Sequence, residues 1–358
     1  MRQHVRVLGS GPVAAITITD GVRTGAAGPT DVSVIAVAAP FWFGGRGRRL
    51  EVAVTRAVAS AFWRREIPCG ADGDWFVEGL ARFTATSSLA SQYDDSRDSP
   101  AIGADERRYA GGFLSRVLRA TVPASGSSMS AYRADPRVDP AHPRSARDRD
   151  VLEAKTALAA ETLSAWIGGP TWEAALRSFV TASRGRCGSW RELSDAASDV
   201  TGLDFSWFFD QVFGTVRVFD YGVERLASEP VADSAGRYRT ALVVRRYGDG
   251  IFTGSAEPPI APFESGRGVE IALRFADGTE RTDHWDGRAA SRTFDYQSSS
   301  PAVSATVDPR EVILLDLDRT NNSRTLPSRT ASAATRWSVT LDRMVRAAAA
   351  LVRLACLT

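Results

Sequence analysis

The period of the apolar positions changes along the chain, and the changes divide it into elements. In residues 1–48 short apolar runs alternate with glycine-rich turns, and residues 32–37 (VSVIAV) are the clearest strand there. From residue 49 to 65 the period becomes helical, with Leu50, Val54, Ala57, Val58, Ala61 and Phe62 on one face. Ile67-Pro68-Cys69-Gly70 and Asp72-Gly73 break that helix, and a second one starts at Asp74. Residues 91–110 and 122–150 are rich in Ser, Asp, Arg and Pro, which predicts mobile loops. Helical periodicity returns at Val151, where Leu152, Thr156, Ala159, Leu163 and Trp166 form a stripe that ends at Gly168-Gly169-Pro170. Residues 172–181, 190–200 and 205–213 continue as short amphipathic helices.

Beyond Val216 the pattern turns to short β-type runs at 239–246, 269–275, 292–296, 303–307 and 312–317, with Asp277-Gly278 as a hairpin signal. Regular short strands separated by turn residues predict a β-sandwich. After a Ser/Thr/Arg-rich linker, residues 335–354 are expected to form a last amphipathic helix, with Arg336, Asp342, Arg343, Arg346 and Arg353 on one arc. That face suits the surface of an anionic membrane, and docking on the protein itself or on a partner suits it equally. The fold class expected is therefore α+β. It has a β/loop segment at 1–48, a mainly helical domain at 49–215, a β-sandwich at 216–326, and a linker with an amphipathic helix at 327–358.

Composition narrows the partners. The 358 residues carry a net charge of +2, with 44% hydrophobic and 24% charged positions, so electrostatics supplies no reason to expect nucleic acid. Only one of the 44 basic residues is a lysine, Lys155. The three cysteines, Cys69, Cys187 and Cys356, lie far apart without a Cys-x-x-Cys spacing. That argues against a disulfide framework or a cysteine zinc knuckle, and it fits a reducing compartment. No signal-peptide h-region opens the sequence and no apolar run is long enough to span a bilayer, so the expectation is a cytoplasmic or peripherally membrane-associated protein.

The candidate chemistry centres on Asp74-Trp75-Phe76-Val77-Glu78-Gly79-Leu80-Ala81-Arg82-Phe83, in which a helix carries an acidic residue next to a glycine. With the helix before it, this run resembles the zinc-site core of the membrane alanyl aminopeptidase family, the gluzincin metallopeptidases. In that family His-Glu-x-x-His precedes a third ligand, a Glu in a W-L-N-E-G-F-A-T-Y-like run. Further segments in the same order strengthen the resemblance. Glu153-Ala154-Lys155-Thr156 is similar to the family's Tyr-x-Lys-Gly, and residues 167–179 to its next helix pair. Residues 201–212 (TGLDFSWFFDQV) resemble S-G-x-D-L-x-W-F-F-D-Q-W, and segments near 245–248, 275–278 and 314–323 resemble the following β-domain of bacterial members. Residues 1–48 then correspond to a remnant of the catalytic-domain sheet.

The resemblance implies zinc, yet the ligands are missing. With Glu78 as third ligand, the pentad falls on Thr55-Arg56-Ala57-Val58-Ala59, without either histidine and with Arg56 at the position of the base. The chain has three histidines, His4, His142 and His284, and His142 and His284 read as surface residues. The position of the proton-donating Tyr holds Glu153, and no G-A-M-E-N segment precedes Arg49. We therefore expect no catalytic residue, no metal and no cofactor, and a vestigial peptide cleft formed by Arg56, Trp75, Glu78 and Glu153. Within it, the Arg56 guanidinium is expected to replace the metal as counter-charge to Glu78. The expected function is an inactive aminopeptidase homologue that binds peptide or serves as a membrane-side scaffold. The alternatives are an active zinc metallopeptidase with ligands supplied otherwise, and a truncated gene product.

Other signals read as ordinary structure. Gly9-Ser10-Gly11 and the glycines of residues 43–47 lack a full phosphate-loop pattern, and the acidic run 94–98 lacks the glycine and terminal Glu of a calcium loop. The aromatics Trp207, Phe208, Phe209 and Phe213 read as core.

Overall fold

The computed structural model describes residues 17–20, 34–37, 49–70, 73–93, 128–231, 236–253 and 268–327. The fold is α+β, with a helical region followed by two antiparallel sheets. Strands β1 (Thr17–Asp20) and β2 (Val34–Val37) form a parallel pair. They precede helices α1 (Arg49–Glu66) and α2 (Asp74–Tyr93), which follow the two predicted helices closely. The amphipathic helix expected at 335–354 and most of the loop expected at 91–110 lie outside the described residues.

The loop expected at 122–150 is largely ordered structure. Ser128–Ala134 is a helix, α3, and α4 runs from Ala146 to Ile167, five residues earlier than its apolar stripe suggests. The cause is a cap. The Ser145 side chain accepts from the Asp148 backbone N–H, and Ser145 donates to the Asp148 carboxylate. Charged residues hide that first turn from a hydrophobicity pattern, because it faces solvent.

Helices α5 (Gly169–Ser183), α6 (Trp190–Thr201) and α7 (Ser206–Phe213) complete the helical region. A capping box at Ser189 and Glu192 starts α6, and Gly202, at φ 71°, ends it in the left-handed region that favours glycine. Phe76, Phe179, Trp190, Phe209 and Phe213 meet between α2, α5, α6 and α7.

Seven strands form the two antiparallel sheets. One sheet has the order β3 (Tyr221–Pro230), β4 (Tyr238–Arg246), β7 (Ser291–Ser298). The other has the order β6 (Glu280–Trp285), β5 (Val269–Phe275), β8 (Ala302–Val307), β9 (Ser323–Thr325). Leu242, Val244, Phe294 and Tyr296 of the first sheet and Ile271, Leu273, Ala305 and Val307 of the second are buried in alternation, so each sheet turns one face inward. Contacts cross between them: Tyr296 donates to Asp283 and the Ala302 N–H donates to Ser228. The Asp277-Gly278 hairpin joins β5 to β6, with Gly278 at φ 87°.

The run 312–317, expected as a strand, is instead a turn-rich segment laid on α4. Asp308 accepts from the N–H groups of Val312 and Ile313, which curls the chain. The Leu314 N–H then donates to Thr162 of α4, Arg133 of α3 donates to the Leu317 carbonyl, and Asp316 bridges to Phe219. Ile313 and Leu315 are buried in the common core, so an apolar run alone cannot distinguish this segment from a strand. A single apolar core runs through the helical region and the sheets, crossing the junction at Trp166, Phe205, Trp207, Phe208, Phe219 and Phe252.

One expectation from composition is overturned. Cys69, in the α1–α2 connection, and Cys187, in the α5–α6 connection, form a disulfide with Cα atoms 4.5 Å apart. They are 118 residues apart, and only packing places the two connections together. The wide spacing therefore gives no reason to read a reducing compartment. No described helix is long and apolar enough to cross a membrane.

Candidate functional site

Helices α1 and α2 form an antiparallel hairpin, and their facing side chains follow a regular register. Arg64 lies opposite Asp74, with 3.8 Å between charges, and Ser60 lies opposite Glu78. Trp63 donates to Thr84 at 3.0 Å between buried side chains, and this bond pins the hairpin. One turn before Ser60, Arg56 falls near Arg82, whose charge it opposes.

That register decides the fate of Glu78. Its Oε1 accepts from the Ser60 hydroxyl at 2.6 Å and from the Arg64 guanidinium. Glu78 is thus answered by an arginine of α1, as expected, but by Arg64 and not by Arg56. Arg56 instead donates to Glu153 of α4 at 2.9 Å. The expectation placed Arg56 by its alignment with the catalytic Glu of the aminopeptidases. In this hairpin Arg64 reaches Glu78 from the last turn of α1, leaving Arg56 to bridge towards α4.

The third helix is brought in by Gly79. A methyl group there would lie 2.3 Å from Thr156 Cβ and 2.7 Å from the Glu153 carbonyl oxygen, so α2 and α4 cross with glycine as the only residue that fits. The crossing brings Glu78 close enough to Glu153 for its charge to act on the Glu153 carboxyl. Trp75 does not join them: it is buried in the core with its ring 5.9 Å from Phe76 and 6.1 Å from Phe213.

Electrostatics sorts these groups. Burial pushes the Glu153 carboxyl up to about 7, and the neighbouring charge of Glu78 acts in the same direction while Arg56 opposes it. Burial also disfavours the Arg64 charge, but the hydrogen bond and charge of Glu78 outweigh it and hold the guanidinium above its ordinary range. Arg82, buried beside Asp150, is pushed down by burial and by Arg56. Glu161, two turns beyond Glu153 on α4, is pushed up to about 7 by burial.

Sequence reasoning singled out Arg56, Glu78 and Glu153, and the structure gathers these three. It missed Ser60, Arg64 and Arg82. The signal for two of them was available, since Arg56, Ser60 and Arg64 recur one turn apart on one face of α1.

The zinc implied by the resemblance does not fit these residues. At the two ligand positions Thr55 and Ala59 offer no imidazole, and Glu78 Oε1 is already engaged by a hydroxyl and a guanidinium. His142 lies exposed and bonded to Asp139, and His284 lies on β6. Among the described residues no group of three or more His, Cys, Asp or Glu could hold a metal ion.

No protein-family model matches the chain, and a search of curated proteins finds no match either. Solved structures do match. The aminopeptidase A of Legionella pneumophila, solved in complex with aspartic acid, superimposes with a TM-score of 0.51 at 12% identity, over 88% of this chain and 33% of that one. The chain thus spans about a third of the length of that enzyme and shares the aminopeptidase-like fold over most of its own.

Proposed function

We propose that this chain is a gluzincin-like aminopeptidase homologue in which ion pairs have replaced the zinc chemistry, leaving a polar cleft between α1, α2 and α4 that holds a peptide without cleaving it. The observation that carries this is the bonding of Glu78. A carboxylate that accepts from Ser60 and Arg64 is compensated without a metal. Arg56, at the position of the catalytic base, presents only N–H donors and no acceptor, so it offers nothing that could take a proton from water. Glu153, at the position of the proton-donating tyrosine, has a carboxyl raised to about 7. Near neutral pH it exists in both protonation states, which suits hydrogen bonding to either a carbonyl or an N–H of an extended peptide.

Metal analysis of the purified protein together with a fluorogenic aminopeptidase assay tests this reading. The expected result is zinc far below one ion per chain and no hydrolysis above buffer. Stoichiometric zinc accompanied by hydrolysis overturns it. Anisotropy of a labelled short peptide tests the binding half, and Glu153→Gln is expected to weaken the binding.

A further inference from the structure

The charged cleft and the disulfide share one connection. Arg64 and Glu66 close α1, and the backbone of Gly70 accepts from both Gly73 and Asp74 at 3.0 Å as α2 begins. The disulfide sits directly on that turn, since a methyl group on Gly73 would lie 3.2 Å from the Cys187 sulfur. Two more contacts tie the same pair of connections. Arg184 pairs with the buried Glu66 at 2.8 Å, and the Gly185 N–H donates to the Glu66 carbonyl at 2.8 Å. Arg64, one turn from this clasp, then reaches Asp74 and Glu78 in the first turns of α2. Cys187 is exposed and Cys69 half-buried, so a solution thiol can reach the bond.

We propose that Cys69–Cys187 is a redox-addressable clasp that sets the geometry of the α1–α2 turn and, through it, the Arg64–Glu78 pair. The reductant is a dithiol, whether a small molecule or a dithiol protein. One of its thiolates attacks the Cys187 sulfur, the S–S bond breaks, and Cys69 leaves as a thiolate that takes up a proton. The second thiol of the reductant then attacks the mixed disulfide, releasing Cys187 as a thiol and closing the reductant to its own disulfide. The protein gains two electrons and two protons. With the covalent tie gone, the Glu66–Arg184 pair, whose arginine is half exposed, and the Gly185–Glu66 backbone hydrogen bond are left to tie the connections, and such exposed pairs are weak. The inference stands whether or not the cleft takes a peptide.

Hydrogen exchange read by mass spectrometry tests it, on the full chain carrying Cys356→Ser, oxidised and then treated with dithiothreitol. Reduction is expected to speed exchange roughly tenfold or more in residues 67–78 and 184–189, and to leave β3, β4 and β5 unchanged. The variant Cys69→Ser/Cys187→Ser is expected to exchange like the reduced protein and to ignore the dithiol. Three results overturn the proposal: both thiols titrating freely in protein purified without reductant, equal exchange in the two redox states, or loss of protection through the β-sheets on reduction. If the double variant does not fold, the comparison of oxidised with reduced protein still decides.

Discussion

Two regions of this molecule bury carboxylates, and they satisfy them by opposite means. Between the helices α1, α2 and α4, Glu78 and Glu153 each meet an arginine, and both guanidinia are a third or more exposed. At the junction with the sheets, Asp308 and Asp316 are buried and, among the described residues, neither forms an ion pair with a guanidinium, although the charge of Arg319 acts on both. Asp308 accepts two backbone N–H groups, and Asp316 accepts from the Asn322 amide at 2.9 Å and from the Asp318 N–H. The first arrangement keeps the compensating charge partly in contact with solvent. The second shapes a loop, and burial pushes the Asp316 carboxyl up to about 7. A buried carboxylate is therefore a pointer to function only once its partners are known.

Gly79→Ala is expected to break the cleft most severely. The added carbon meets the Glu153 backbone as well as Thr156, so neither helix can yield cheaply. The cost should reach roughly 2–4 kcal/mol in chemical denaturation. An effect below about 0.5 kcal/mol would show that the α2–α4 crossing is looser than described.

Arg64→Ala leaves Glu78 with Ser60 alone. Stripping one partner from a fully buried pair costs about 3–5 kcal/mol, and the partial exposure of Arg64 reduces this to about 2. Arg56→Ala, at a more exposed pair, should cost less than about 1 kcal/mol. Equal losses in the two variants would mean that the register of the hairpin does not rank the pairs.

Asp316→Asn sharpens the other side of the comparison through pH. A carboxyl raised from 3.8 to about 7 in the folded state contributes its stability below about pH 4, and that contribution is lost as the pH rises through 7. The asparagine variant should therefore be more stable than the wild type at pH 8, by roughly 1–3 kcal/mol, and no more stable at pH 4. Denaturation curves at a series of pH values check this. Parallel pH dependences in the two proteins would remove Asp316 as the source. A smaller slope should remain in the variant from Glu153 and Glu161, which burial also raises.

Much of the helical region was legible because its signals are local. The apolar stripes at 49–65 and 151–166 and the break at Pro68 lie within a few turns of what they specify. Strands β4, β5, β7 and β8 were legible for the same reason, as was the Asp277-Gly278 turn. Strand β6 (ERTDHW) was missed because it is an edge strand with only Trp285 fully buried, so burial imposes little alternation on it. The segment 312–317 was misread because a buried apolar run looks alike under a helix and in a sheet.

The sequence by itself determined which faces of the helices are apolar, where they break, and that neither ligand position before Glu78 carries an imidazole. Those properties depend on residue type and short spacing. Tertiary structure alone decided that Arg64 and not Arg56 answers Glu78, that Arg56 turns to Glu153, and that Cys69 meets Cys187. Each of these depends on the axial register of packed helices and on which connections share an end of the domain, and helical periodicity carries no record of either.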